Sequence, residues 1–325
     1  MVKLGSTIDD FAGQEETGNL FGILFEDRDG DGIETISNPQ IYKRVAKIKK
    51  IKIPSSVVSI TPKCFDDLQD GKEINIPRGV EKEVAKQLTK VKWKKVKISS
   101  KNKKYKVKNG CLLSKSGKTL YGLVYKEKKL IVPKTVTKID TSALSDTKMG
   151  YSELHGLAFS GCETLVISKN VKSIYLYFDF AAPIKVEVDP ANKYYASKDG
   201  SLYSKKNGEL ICLHVIDGVY NIPDGVKVIP YRFNVSQGAK KVIIPASVKK
   251  VSDIARYICV KDAVFVCYGK EPPVLTEEWT NYSQKNLGVM NLTVYVPKGC
   301  KAAYESAWKV GGEYQDRIKL TFIEQ

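Results

Sequence analysis

Ile51–Ile60 reads IKIPSSVVSI, and this ten-residue phrase returns five more times. It recurs as INIPRGVEKE around Pro77, LIVPKTVTKI around Pro133, YNIPDGVKVI around Pro223 and VIIPASVKKV around Pro245, while LVISKNVKSI carries Ser168 in the proline slot. A valine stands three residues after every anchor: Val57, Val80, Val136, Val171, Val226 and Val248. Ahead of the anchor, apolar residues alternate with polar ones, as at Ile51 and Ile53, so each copy predicts a strand buried on one face and open on the other. The proline ends that strand because it has no N–H for the ladder. Ile60, Ile139, Ile174, Ile229 and Val251 then turn inward on the return path. One unit buries too little surface to stand alone, whereas stacked units share a core.

The anchors are spaced by 23, 56, 35, 55 and 22 residues, which predicts a unit of about 22–23. A second duplication accounts for the long gaps. Val96–Pro133 and Val186–Pro223 have equal length and share Asn102/Asn192, Tyr105/Tyr195, Gly110/Gly200, Leu112/Leu202, Leu120/Leu210 and Leu123/Leu213. Each predicts a β-hairpin turning at a Lys-Ser-Gly or Lys-Lys-Asn-Gly sequence, so a 90-residue super-repeat overlies the short one. Leu88–Trp93, with Lys94 in the anchor slot, reads as a seventh, degenerate copy.

These phrases resemble the BspA-like leucine-rich repeats of bacterial surface proteins. The aromatic-cysteine element LAFSGCETL (Leu157–Leu165), the NGCLLSKSGKTL and DGSLYSKKNGEL segments, and the C-terminal PPVL and LTVYVPKGCKAAYESAW stretches are similar to the same family. The first 40 residues match no part of it. The resemblance implies an α/β leucine-rich-repeat solenoid, mainly β, with a curved parallel sheet, two β-hairpin insertions near 96–125 and 186–215, and caps at both ends. Expected divisions are a pre-repeat segment at 1–46, the solenoid at 47–270 and a capping module at 271–325. The family also implies a surface or secreted, non-enzymatic binder of protein or acidic glycan ligands on host or neighbouring cells.

The rest of the sequence narrows the chemistry. Among 325 residues, 53 Lys and Arg face 36 Asp and Glu, a net charge of +17 that favours acidic partners. Only His155 and His214 are available for histidine chemistry. The seven cysteines include no C-x-x-C pair and are expected as free buried thiols, with Cys259 and Cys267 the nearest candidates for a disulfide. No run reaches the roughly 18–20 apolar residues of a membrane span, and the opening MVKLGSTIDDFAG lacks the apolar core of a secretory leader. That opening supports an alternative, cytoplasmic reading as a polyanion or nucleic-acid binder.

Three constellations stand out. EDRDGDGIETISN places Asp27, Asp29 and Asp31 at alternate positions before Gly32, the first half of a calcium loop. The closing glutamate is replaced by Asn38, so an ordinary acidic turn competes with calcium binding, and no other cofactor is implied. GCLLSKSGKT has six residues between its glycines where a phosphate loop requires four, and is read as a turn. No nucleophile elbow, zinc-protease or dinucleotide motif is present. Finally, the outward strand positions collect Lys49, Lys50, Lys52, Lys90, Lys92, Lys128, Lys129, Lys240 and Lys241. Stacking predicts a lysine stripe on one sheet face, either a site for an acidic ligand or a solvated face that discourages strand aggregation.

Overall fold

The computed structural model describes residues 2–3, 50–52, 73–79, 88–89, 93–125, 127–141, 159, 161–176, 185–230, 239–252, 262–275, 290–309 and 318–325. Two compact units divide the chain. One comprises residues 1–162 with 173–177, and the other residues 163–172 with 178–325.

In the first unit Val2–Lys3, Lys50–Lys52, Glu73–Ile76 and Lys95–Ile98 form a parallel sheet in that order. Ile74 and Ile76 point into the core while Glu73 and Asn75 stay partly exposed, the one-sided burial that the alternation predicts. The next strand corrects the reading of the seventh copy. Ile76 lies opposite Ile98, so Ser99 rather than Lys94 occupies the anchor slot, and Leu88 and Thr89 are buried helical residues outside any strand. The second unit repeats the pattern: Ile167 lies opposite Val188, which puts Asp189 in the slot. The long gaps thus resolve into an ordinary repeat of 22 or 21 residues (Pro77 to Ser99, Ser168 to Asp189) and an enlarged one of 34 (Ser99 to Pro133, Asp189 to Pro223).

The return path is itself a sheet. Ser173–Tyr175, Lys138–Asp140 and Thr119–Leu123 pair in parallel in the first unit, as do Val228–Ile229, Lys250–Val251 and Val274–Leu275 in the second. Ile139, Ile174, Ile229 and Val251 are the buried residues of these short strands. Each repeat therefore closes its backbone hydrogen bonds on two sides of the core, as buried peptide groups require.

The enlarged repeats fold as antiparallel triplets. Tyr105–Lys108, Cys111–Ser114 and Thr119–Leu123 form one, and Tyr195–Lys198, Ser201–Ser204 and Leu210–Cys212 the other. The first turn of each is Asn109-Gly110 or Asp199-Gly200, with φ of 50° and 72° or 52° and 80°. Two consecutive left-handed residues suit a two-residue hairpin, whose twist matches the flanking strands. The last strand of each triplet then docks beside the next return strand: Thr119 pairs with Lys138, and Glu209 bridges Val228 in parallel.

The shared asparagines hold these segments in place. Asn192, 1% exposed, donates from Nδ2 to the carbonyls of Ser168 and Val171, both at 3.0 Å. Its Oδ1 accepts from the amides of Tyr194 (2.8 Å) and Tyr195 (2.9 Å). Asn102 contacts Pro77 O and the amides of Lys104 and Tyr105 in the same way.

In the second unit Val219–Asn221, Lys241–Ile244, Val264–Cys267, Met290–Val296 and Ile318–Glu324 form a five-stranded parallel sheet. Tyr220, Val242, Phe265, Val294 and Phe322 align across it as one buried row. The helix Lys301–Ala307 connects the last two strands, with buried Tyr304 inside it and Trp308 just after it. Tyr304 donates to Gly269 O at 2.8 Å, and Trp308 Nε1 to Pro273 O at 2.9 Å.

Of the anchor-adjacent residues, Ile76, Val132, Ile167, Ile222 and Ile244 are buried. The described strands that bear Ile76, Ile167 and Ile244 belong to three separate sheets rather than to one.

Candidate binding faces

Asp27, Asp29, Asp31, Lys49, Lys90, Lys92 and His155 lie outside the described residues. Lys50 and Lys52 lie in the first unit's sheet, where register gives the rows Lys50–Glu73–Lys95 and Lys3–Lys52–Asn75–Lys97. Lys95 and Lys97 are exposed, and Lys97 Nζ lies 3.8 Å from Glu73 Oε1. Neither Lys95 nor Lys97 is expected in this role from sequence, because the degenerate copy places the anchor at Lys94, five residues before Ser99.

Lys128 and Lys129 are exposed, the latter next to the 67%-exposed Ile131. Lys240 and Lys241 are also exposed, but the neighbours of Lys241 along its row are Val219, Val264 and Thr293. The next outward row of that sheet is Asn221, Ile243, Val266, Tyr295 and Ile323. Ile243 and Tyr295 are half-buried, Val266 is buried and Ile323 is 40% exposed. The expected cationic stripe thus has lysine rows in the first unit and an apolar outward row in the five-stranded sheet of the second. Sequence reasoning missed that row because it looked for charge. Its signal was the outward Ile243, set two residues before Pro245.

The described cysteines Cys111, Cys162, Cys212, Cys267 and Cys300 are free thiols, and Cys259 lies outside the described residues. Burial pushes the thiols of Cys111, Cys212 and Cys267 up to about 12, which keeps them protonated and poor nucleophiles. His214 is half-buried, its ring against Gly200, and burial together with Lys185 lowers its pKa. Among the described residues no three His, Cys, Asp or Glu side chains gather as a metal site, and no helix is long and apolar enough to cross a membrane.

Residues 34–165 match the family described as BspA type Leucine rich repeat region, in 6 copies. Similar solved structures include the pneumococcal vaccine antigen PcpA, 15% identical with TM-score 0.35, covering 85% of this chain and 80% of that one. A leucine-rich repeat protein from Eubacterium ventriosum is 15% identical with TM-score 0.38, covering 89% and 76%. A leucine rich cell surface protein from Faecalibacterium prausnitzii is 13% identical with TM-score 0.37, covering 82% and 64%. No curated protein matches this sequence.

Proposed function

We propose that this chain, whose residues 34–165 match the BspA-type leucine-rich-repeat family, is a non-enzymatic binder of macromolecules at a bacterial cell surface or in its surroundings. Its partner is a protein held on the outward face of the five-stranded parallel sheet. The observation that carries this reading is the row Ile243, Val266, Tyr295 and Ile323, apolar where a merely solvated face would carry charge. Partly exposed aromatic and aliphatic side chains on a rigid sheet lose little conformational entropy on binding and supply the buried anchors that dominate interfaces.

The lysine rows of the first unit favour a second reading, an acidic glycan or nucleic acid as ligand. Lys95 and Lys97 are exposed cations in a chain of net charge +17.

Binding of the full chain to a panel of purified host extracellular proteins tests the first reading against an Ile243→Lys/Ile323→Lys variant. Loss of binding with unchanged melting supports it, and equal binding by both chains overturns it. Protease shaving of intact cells tests the location, since an intracellular chain survives shaving.

A further inference from the structure

The first unit carries, on its return-path sheet, a group of side chains that neither reading uses. Asp140 is nearly buried, and its Oδ2 lies 2.6 Å from Lys138 Nζ. The same ammonium sits 5.0 Å from the centroid of the Tyr175 ring, which lies opposite Asp140 in the neighbouring strand and is 56% exposed. On the other side of Lys138 and Asp140, Tyr121 packs edge-on against Tyr105 with centroids 5.6 Å apart. The band therefore reads ring, ion pair, ring on three neighbouring strands, with the Tyr105 ring reaching across the Cys111–Ser114 strand.

The duplication shows that the fold does not require this chemistry. A shift of 90 residues carries Thr119–Lys138 pairing onto Glu209–Val228 pairing, so the two copies are in structural register. In the second copy Tyr105 is kept as Tyr195, but Tyr121 becomes Ile211, Lys138 becomes Val228, Asp140 becomes Pro230, and the place of Tyr175 falls to Ser252. The same backbone is built there from apolar and small residues. A nearly buried carboxylate with a fixed ammonium partner costs desolvation that the second copy avoids.

We propose that Tyr105, Tyr121, Lys138, Asp140 and Tyr175 form a binding site for a neutral oligosaccharide. A pyranose offers an apolar C–H face and a rim of hydroxyls. The exposed Tyr175 ring and the half-buried Tyr121 and Tyr105 rings cover the first at low entropic cost. The Lys138–Asp140 ion pair and the tyrosine hydroxyls supply polar groups for that rim. The ion pair is internally neutral, so the site offers no net charge to attract a sulfated or phosphorylated ligand. Two strand spacings of about 4.8 Å separate Tyr175 from Tyr121. With Tyr105 beyond, the band spans roughly 15 Å, the length of about three sugar units. Burial and the neighbouring Asp140 raise the Tyr121 pKa, so its hydroxyl remains a donor at neutral pH. This site lies on a different sheet from the proposed protein-binding row, and the two readings stand or fall separately.

Titration calorimetry on the full chain tests the site with chitohexaose, cellohexaose and mannohexaose as probes and a heparin hexasaccharide as anionic control. At least one neutral hexasaccharide is expected to bind. Tyr175→Ser and Tyr121→Ile, each taking the residue that the second copy uses, are expected to weaken it by roughly tenfold or more. Their melting temperatures should stay at the wild-type value. Asp140→Asn, which keeps the shape but removes the charge, should weaken it as well. The proposal is overturned if no neutral hexasaccharide binds, if only the heparin fragment binds, or if Tyr175→Ser/Tyr121→Ile binds as tightly as wild type. Unchanged Ile243→Lys/Ile323→Lys binding to these sugars is expected, and it separates this site from the protein-binding row.

Discussion

Replacing Asn192 by alanine removes a buried side chain that ties the second antiparallel triplet to the preceding repeat. Four hydrogen bonds go at once, to the carbonyls of Ser168 and Val171 and from the amides of Tyr194 and Tyr195, although Ser168 O keeps its bond from the Val171 amide. A typical intramolecular hydrogen bond contributes about 1 kcal/mol net, so the direct loss is about 4 kcal/mol. The site is 1% exposed, so water replaces these bonds only if the turn opens. Asn192→Asp separates the two halves of the network. Its carboxylate still accepts from the two amides but faces two carbonyl oxygens where Nδ2 donated, which is repulsive. Burial and those carbonyls raise its folded pKa above the unfolded value, so the folded state binds more protons and the variant gains stability, relative to wild type, as pH falls from 7 to 4. Urea unfolding gives the magnitude, and hydrogen exchange at Tyr194 and Tyr195 shows where the opening occurs. A loss below about 1 kcal/mol for alanine, or a pH-independent defect for aspartate, would refute the bracing role.

Other outcomes follow from the same geometry. Cys111, Cys212 and Cys267 have folded-state pKa values of about 12 against an ordinary value of 9.0, so stability is complete below pH 9 and falls progressively from pH 9 to 12 as the unfolded thiols ionise first. A pH series of urea midpoints checks this, and Cys212→Ala should flatten the alkaline limb. If the lysine rows of the first unit bind polyanions, heparin affinity should fall steeply between roughly 50 and 200 mM salt. Lys95→Glu/Lys97→Glu should then abolish binding, while Lys301→Glu/Lys309→Glu leaves it intact. If Asp27, Asp29 and Asp31 hold calcium, millimolar calcium should raise the melting temperature and a chelator lower it. No heat on calcium titration would leave an acidic turn.

The parts of the fold that sequence disclosed are those where burial repeats on a fixed period. The anchor phrase announced the inward residues because one buried face demands alternation, and Ile76, Ile167, Ile222 and Ile244 lie in the core as that demand requires. Where periodicity is short or shared, it misleads. Leu88, Val91 and Trp93 mimic the inward spacing, yet the strand is Lys95–Ile98, whose Val96 and Ile98 are flanked by lysines that an isolated reading takes for a surface loop. Pairing with Ile74 and Ile76 decides between the two, and pairing is a tertiary fact. The return strands run to only two or three residues where two repeats face each other, below what a pattern can signal. The Asn109-Gly110 and Asp199-Gly200 turns were legible from the dipeptides alone and were passed over in favour of the later turn. The candidate sites divide along the same line. A stripe was inferred from lysines at corresponding positions, but a stripe exists only if neighbouring strands repeat the charge. Lys241 has Val219 and Val264 beside it, so charge at one position in one repeat says little about the face. Conversely, Tyr105, Tyr121, Lys138, Asp140 and Tyr175 are separated by up to 70 residues and become one site only when the return strands and the triplet share a sheet. What sequence did contain was the contrast between the duplicated copies. A scaffold repeated with Tyr121, Lys138, Asp140 and Tyr175 replaced, and only Tyr105 kept as Tyr195, marks those four residues as serving something other than the scaffold.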